Sequence, residues 1–105
     1  MMRVLCSVLT VLVAGILVLP AASQHSYQPK NGFVPNEKTA IRIAEAALIA
    51  VYGEKQIKSE EPFSAKLLNG VWTVQGTIAD GVEGGVAIIK ISKANGTIIS
   101  VTHGM

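Results

Sequence analysis

The sequence has few of the side chains that carry catalytic or metal chemistry. Its 105 residues include one cysteine, Cys6, and two histidines, His25 and His103. Cys6 lies in an apolar stretch near the N terminus, so the rest of the chain has no thiol and forms no disulfide. A structural zinc site needs about four ligands, and two isolated histidines do not supply them. The sequence therefore predicts no metal site.

Charged residues are also sparse, and neither sign dominates. The chain has nine Lys and Arg residues and seven Asp and Glu residues. Arg3 belongs to the N-terminal apolar segment, which leaves eight basic residues against seven acidic ones in the remainder. A near-neutral balance without a basic stripe argues against a nucleic-acid partner.

The long apolar stretch of the chain is at its N terminus. Residues 2–19 carry Arg3 as their only charge, and small residues follow after Pro20. This order is typical of a secretory signal peptide, so we expect residues 1–23 to be removed after Ser23 or, alternatively, after Ala22. A retained transmembrane anchor is the other interpretation, since about 17 apolar residues reach the short end of the spanning range. Cleavage would give a periplasmic or secreted protein with no stable membrane anchor.

The remaining chain predicts an extended leader, residues 24–35, and one α+β domain, residues 36–105. Asn36 can cap a helix, and apolar residues recur from there to Tyr52 at three- and four-residue spacing. This pattern predicts one amphipathic helix, ended by Gly53 in the left-handed cap conformation.

The segment after the helix is charged as far as Pro62. It predicts a connector with room for one short turn of helix. Glu60 and Glu61 could be imagined as an acid–base pair, but neighbouring side chains in an exposed connector are usually solvated charges.

Beyond Pro62 the apolar pattern changes to a period of two. Asn69-Gly70 separates two strand-like runs, and residues 93–96 separate two more, which predicts two β-hairpins. Asn95 also begins a glycosylation sequon, but the turn suffices to explain it. We predict one amphipathic helix packed on a four-stranded antiparallel sheet built from the two hairpins.

The glycine-rich stretch at residues 81–85 has two interpretations. A phosphate-binding loop needs its glycines before a helix N terminus, where free N–H groups meet the anion. Here a strand-like run follows, and Glu83 places a negative charge where an anion would sit. The stretch therefore predicts a connection between strands.

Two further residues keep alternative interpretations. His103 could be grouped with Ser100, Ser92 or Asp80 as a triad, although a histidine of a terminal strand is usually a surface or edge residue. Trp72 is either a core anchor facing the helix or a binding hot spot on the open sheet face.

Three segments together resemble a known family. They are the helix from Asn36 to Tyr52 with the residues before it, the "NGVWTVQG" hairpin, and the run from Gly84-Gly85 to the terminal "ISVTHG". In combination they resemble the small immunity proteins of bacterial polymorphic toxin systems, over residues 31–105. The resemblance implies a nuclear-transport-factor-two-like fold, for which a cystatin-like arrangement is the alternative.

That resemblance also implies a function. It implies a protein that is not an enzyme, has no cofactor, and binds and neutralises a cognate toxin. From residue type and loop position we expect Tyr52, Trp72, Glu83 and His103 to include some of the toxin contacts. An unpaired sheet edge is also compatible with a homodimer.

Two other functions stay open at the level of sequence. One is an exported propeptide-like or cystatin-like module that inhibits a peptidase. The other is a small enzyme with a conical pocket, such as an isomerase or hydratase, for which His103 and Asp80 are the candidate polar groups.

Overall fold

A computed structural model describes residues 25–79 and 84–104. The predicted signal peptide, Asp80 and Glu83 lie outside these residues. The elements along the chain are α1 (Glu37–Tyr52), α2 (Glu54–Ser59), β1 (Ser64–Leu68), β2 (Val71–Gln75), β3 (Ala87–Ser92) and β4 (Ile98–His103). In the described ranges, no helix combines the length and the apolar character needed to cross a membrane.

Helix α1 begins and ends where the sequence predicts. The Asn36 side chain accepts a hydrogen bond from the Thr39 N–H at 2.9 Å, which satisfies one free donor of the first turn. The fully buried face consists of Ala40, Ala44 and Leu48, each four residues apart. The small side chains of Ala40 and Ala44 let the first turns of the helix lie close to the sheet, and the larger Leu48 fills the core beside its last turns.

Gly53 ends α1 in a conformation that differs from the prediction. Its φ is 92°, but its ψ of 152° lies outside the left-handed helical region expected for the cap. Its N–H donates to the Ile49 carbonyl, and its own carbonyl accepts from the Ile57 N–H. Gly53 therefore joins α1 directly to α2, and the predicted connector contains a six-residue helix rather than one turn.

The four strands form one antiparallel sheet in the order β1-β2-β3-β4. The predicted Asn69-Gly70 turn is present, with positive φ at both residues, and Gly96 has positive φ in the second turn. Each strand pairs with its neighbour in sequence, so β1 and β4 are the edges. A bulge interrupts the β3–β4 pairing between Lys90 and Ile91. The predicted α+β architecture is confirmed.

The core lies between the helices and one face of the sheet. Ile89 and Ile91 of β3 and Val74 of β2 are fully buried there, and Leu48 of α1 and Ile57 of α2 are buried in the same cluster. Burying side chains of this size stabilises the fold by about 1.5–3 kcal/mol each. The opposite sheet face has no helix over it in the described chain and presents polar residues (Ser64, Lys66, Thr73, Gln75, Lys90, Thr102).

The leader contributes to this core. The Phe33 and Val34 N–H groups donate to the Ala94 and Lys93 carbonyls, both at 3.0 Å, in the turn between β3 and β4. Val34 is fully buried, and its carbonyl accepts from the Trp72 indole N–H at 2.8 Å. The end of the leader is therefore held against the sheet by backbone and side-chain hydrogen bonds.

The glycine-rich connection leads into a strand, as predicted. Gly84 has a φ of 110°, and β3 begins three residues later at Ala87. Because no helix N terminus follows these glycines, the phosphate-loop interpretation is not supported.

Candidate functional site

A buried glutamate is the centre of the polar cluster at one end of the sheet. Glu60 follows α2 directly and is 4% exposed. One carboxylate oxygen accepts from the Ala87 N–H at 2.7 Å. The other accepts from the Gln56 amide at 2.8 Å and lies 3.3 Å from Nε2 of His103. The expectation that Glu60 is a solvated charge in an exposed connector is wrong, whereas its neighbour Glu61 is exposed.

Local geometry explains how this carboxylate is buried. Ile57 is buried three residues earlier in α2, and Glu60 extends from the same side of that short helix. Gly76 leaves the space for it, because a Cβ added there would lie 2.7 Å from the Glu60 Oε1 atom and 2.8 Å from its Cβ. The Glu60 carbonyl also accepts from the Thr77 N–H at 2.7 Å. The main chain and the side chain of Glu60 thus both join α2 to the sheet.

The hydrogen bonds keep Glu60 ionised. Burial by itself would raise the pKa of the Glu60 carboxyl. The bonds donated by Ala87, Gln56 and His103 outweigh burial and hold this pKa below the ordinary value for glutamate. The site therefore contains a fixed negative charge at neutral pH.

Glu60 also determines the orientation and the tautomer of His103. An ionised carboxylate only accepts hydrogen bonds, so the Nε2 atom facing it carries the hydrogen. In the neutral ring, Nδ1 is then a hydrogen-bond acceptor. The Tyr52 ring packs edge-on against the imidazole, with centroids 5.4 Å apart and planes at 61°. The His103 side chain is 34% exposed, so the ring is both held in place and accessible.

A cleft of about 350 Å³ lies beside this cluster. Glu60, Gln56 and Ser59 line it from the α2 side, Thr77 lines it from beyond β2, and His103 lines it from the edge strand β4. Among the residues that the structure describes, no group of three or more His, Cys, Asp and Glu side chains is arranged to hold a metal ion. Ile78, Ala79 and Val86 add apolar lining, so the cleft offers polar atoms and apolar surface beside a buried charge.

Comparisons with known proteins give the family. A model of the family described as NTF2 fold immunity protein, where NTF2 is nuclear transport factor two, matches residues 39–105. The chain belongs to this family.

Two proteins of Escherichia coli strain K12 are similar to this immunity-family chain. It is 36% identical to the uncharacterized protein YhhH over 83 residues, which cover 78% of the chain and 65% of YhhH. It is 37% identical to the uncharacterized protein YbbC over 78 residues, which cover 73% of the chain and 63% of YbbC. The chain thus spans slightly less than two thirds of the length of these relatives. No solved structure matches it.

The structure brings together two of the four residues predicted to contact a toxin. Tyr52, the last residue of α1, packs on His103, and both are partly exposed. Trp72 faces the helix and is 7% exposed, as its core interpretation requires, so it offers little surface to a partner. Glu83 lies outside the described residues and stays a prediction.

The candidate triad does not assemble in the part that the structure describes. Ser100 pairs with Lys90, while His103 pairs with Ala87, which places the two side chains on opposite sheet faces. Ser92 belongs to the same face as Lys90, and Asp80 lies outside the described residues.

Sequence reasoning missed Glu60, the residue on which the cluster depends. One signal was present, because Ile57 is the only large apolar residue between Gly53 and Pro62, and Glu60 follows it at helical spacing. A short amphipathic turn that buries Ile57 carries Glu60 toward the same side.

Proposed function

We propose that this chain is an exported immunity protein that binds a cognate toxin domain of a polymorphic toxin system and neutralises it without catalysing a reaction. The observation that carries the proposal is the family match over residues 39–105, which includes both helices and all four strands except the first two residues of α1. The family is described as an immunity protein, and this description implies that its members bind a toxin.

The fold suits inhibition by binding. Neutralisation of this kind needs a rigid surface with a few well-held anchor side chains, since little entropy is then lost on association. The Tyr52–His103 pair has that character: the histidine is hydrogen-bonded to a buried carboxylate, and the tyrosine ring packs on it. Val51, next to Tyr52, is 57% exposed and adds apolar surface at the same end of α1.

Export is the second part of the proposal. Its support is the sequence of residues 1–23, with a cationic start, an apolar run and small residues after Pro20. An exported immunity protein would meet an incoming toxin before the toxin reached the cytoplasm. Cell fractionation of the full-length chain, followed by N-terminal sequencing, tests this part. We expect a periplasmic product that begins at Gln24, and an uncleaved cytoplasmic product would refute export.

Co-expression tests neutralisation. The probe is the toxin domain that the proposal predicts to be encoded beside the gene for this chain, directed to the periplasm of a bacterial host. We expect growth arrest with the toxin domain alone and growth when the full-length chain is present. Stable binding between the two purified proteins should accompany the rescue. Growth arrest that persists despite normal levels of the folded chain would refute the proposed function, and capture of a peptidase instead would favour an inhibitory module.

A further inference from the structure

The hydroxyl groups of the cleft described above have their hydrogens directed away from it. The Ser59 hydroxyl donates to the Gln56 carbonyl at 2.6 Å. The Thr77 hydroxyl donates to the Pro62 carbonyl, also at 2.6 Å. Because each hydroxyl has one hydrogen, both oxygens can only accept a further hydrogen bond.

The amide and the imidazole of the cleft follow the same pattern. The Gln56 amide nitrogen donates to Glu60 at 2.8 Å, which leaves the amide oxygen as an acceptor and one N–H uncommitted. The His103 Nε2–H faces the same carboxylate at 3.3 Å, so Nδ1 of the neutral ring is an acceptor. Among the polar side chains that line the cleft, acceptors therefore predominate, and Ile78, Ala79 and Val86 add apolar lining beside them.

The charge of the cleft has one sign. Glu60 is ionised, and no Lys or Arg is among the described residues that line the cleft. Two other depressions differ in this respect: one on the open sheet face is lined by Lys66, and one beside the leader is lined by Lys30 and Lys93. Acceptors beside a fixed negative charge complement a positively charged donor.

We propose that this cleft receives a lysine or arginine side chain of the toxin domain, an inference that rests on the proposed function. Ammonium and guanidinium groups carry only donors, which match the acceptors of Gln56, Ser59, Thr77 and His103. The Glu60 charge is little screened because the carboxylate is buried, so it attracts a cation that enters the cleft it lines. Complementary charge of this kind also selects between partners.

Gln56→Lys is the decisive variant. Gln56 is exposed on α2, and a lysine there would donate to Glu60 four residues later while cancelling the negative charge. Gln75→Lys is the matched control, because it makes the same change at an exposed position at the end of β2. Ser59→Lys is a second cleft variant, and its cation lies favourably at the C-terminal end of a helix.

Calorimetry with the toxin domain that the proposed function predicts compares the variants. We expect Gln56→Lys and Ser59→Lys to weaken binding at least about 30-fold and Gln75→Lys to change it less than about threefold, since like charges at an interface cost several kcal/mol. Replacing the toxin's Lys and Arg residues singly by Gln should reveal one change that weakens binding to the wild-type chain but not to Gln56→Lys. Equal affinities for the cleft variants and the control would overturn the inference.

A second probe separates failure of this inference from failure of the proposed function. If the wild-type chain does not bind the toxin domain, the proposed function fails. The cleft is then tested by NMR titration of the full-length chain with Nα-acetyl-arginine amide and with its neutral isostere, the corresponding citrulline amide. Arginine-specific shifts at His103 and Thr77 would support a cation site, and equal or absent shifts would overturn it.

Discussion

The buried Glu60 carboxylate should contribute strongly to stability, and its replacement by alanine tests this. Glu60→Ala removes the acceptor for the Ala87 N–H, which is buried, and for the more exposed Gln56 and His103 donors. A hydrogen bond to a charged group is worth about 1.5–3 kcal/mol, and a buried N–H left without a partner costs about 1–3 kcal/mol. The exposed donors can turn to water, so we expect a loss of about 2–4 kcal/mol in the free energy of unfolding.

Glu60→Gln removes the charge at position 60 with little change in the shape of the side chain. Glu61→Gln makes the same replacement at the exposed neighbouring position and serves as the control. The glutamine amide oxygen at position 60 can still accept from the Ala87 N–H, so this variant should lose only about 1 kcal/mol at neutral pH. Glu61 is exposed, and its replacement should change stability by less than about 0.5 kcal/mol. Urea denaturation followed by circular dichroism measures all three. A Glu60→Ala chain as stable as Glu61→Gln would refute the claim that this carboxylate joins α2 to the sheet.

The pH dependence of the same variants tests the charge directly. Hydrogen bonds lower the pKa of Glu60 in the folded chain, while an unfolded glutamate titrates near about 4.3. The stability that this group contributes is therefore fully present above about pH 4.3 and is lost as the pH falls through the lower folded-state pKa. The stability difference between the wild-type chain and Glu60→Gln should therefore shrink as the pH falls below about 4.3. A difference independent of pH would contradict an ionised Glu60.

Three further predictions concern the surroundings of the core and the helix start. Gly76→Ala should destabilise the chain by about 1–3 kcal/mol because its Cβ would overlap Glu60, whereas the control Gly104→Ala meets only ordinary contacts and should be neutral in thermal unfolding. Trp72→Phe should cost about 1–2 kcal/mol in urea denaturation, because it leaves the Val34 carbonyl without its indole donor, and full retention of stability would show that the leader is not held by this bond. Asn36→Ala should cost about 1 kcal/mol by removing the helix cap, while Asn36→Asp, which keeps an acceptor, should cost much less in the same assay.

Sequence patterns were sufficient for the elements whose signals are local. A helix cap needs one acceptor three residues from its N–H partner, and Asn36 supplied it within a short stretch of chain. The Asn69-Gly70 turn likewise depends on two neighbouring residues that tolerate positive φ. Periodicity then indicated which side of each element is apolar, and this was enough to predict a helix on an antiparallel sheet.

The candidate site was decided by tertiary structure. The partners of the Glu60 carboxylate include Ala87, 27 residues away in the sequence, and His103, 43 residues away. The residues next to Glu60 in the sequence therefore could not predict these two partners. Trp72 kept two interpretations for the same reason, since alternation along β2 places it on one face without showing which face the helix covers. Local periodicity determined the helices and strands of this chain. The pairing of distant segments determined which polar groups are buried, because a charged group can be buried only where the folded chain provides hydrogen-bond donors for it.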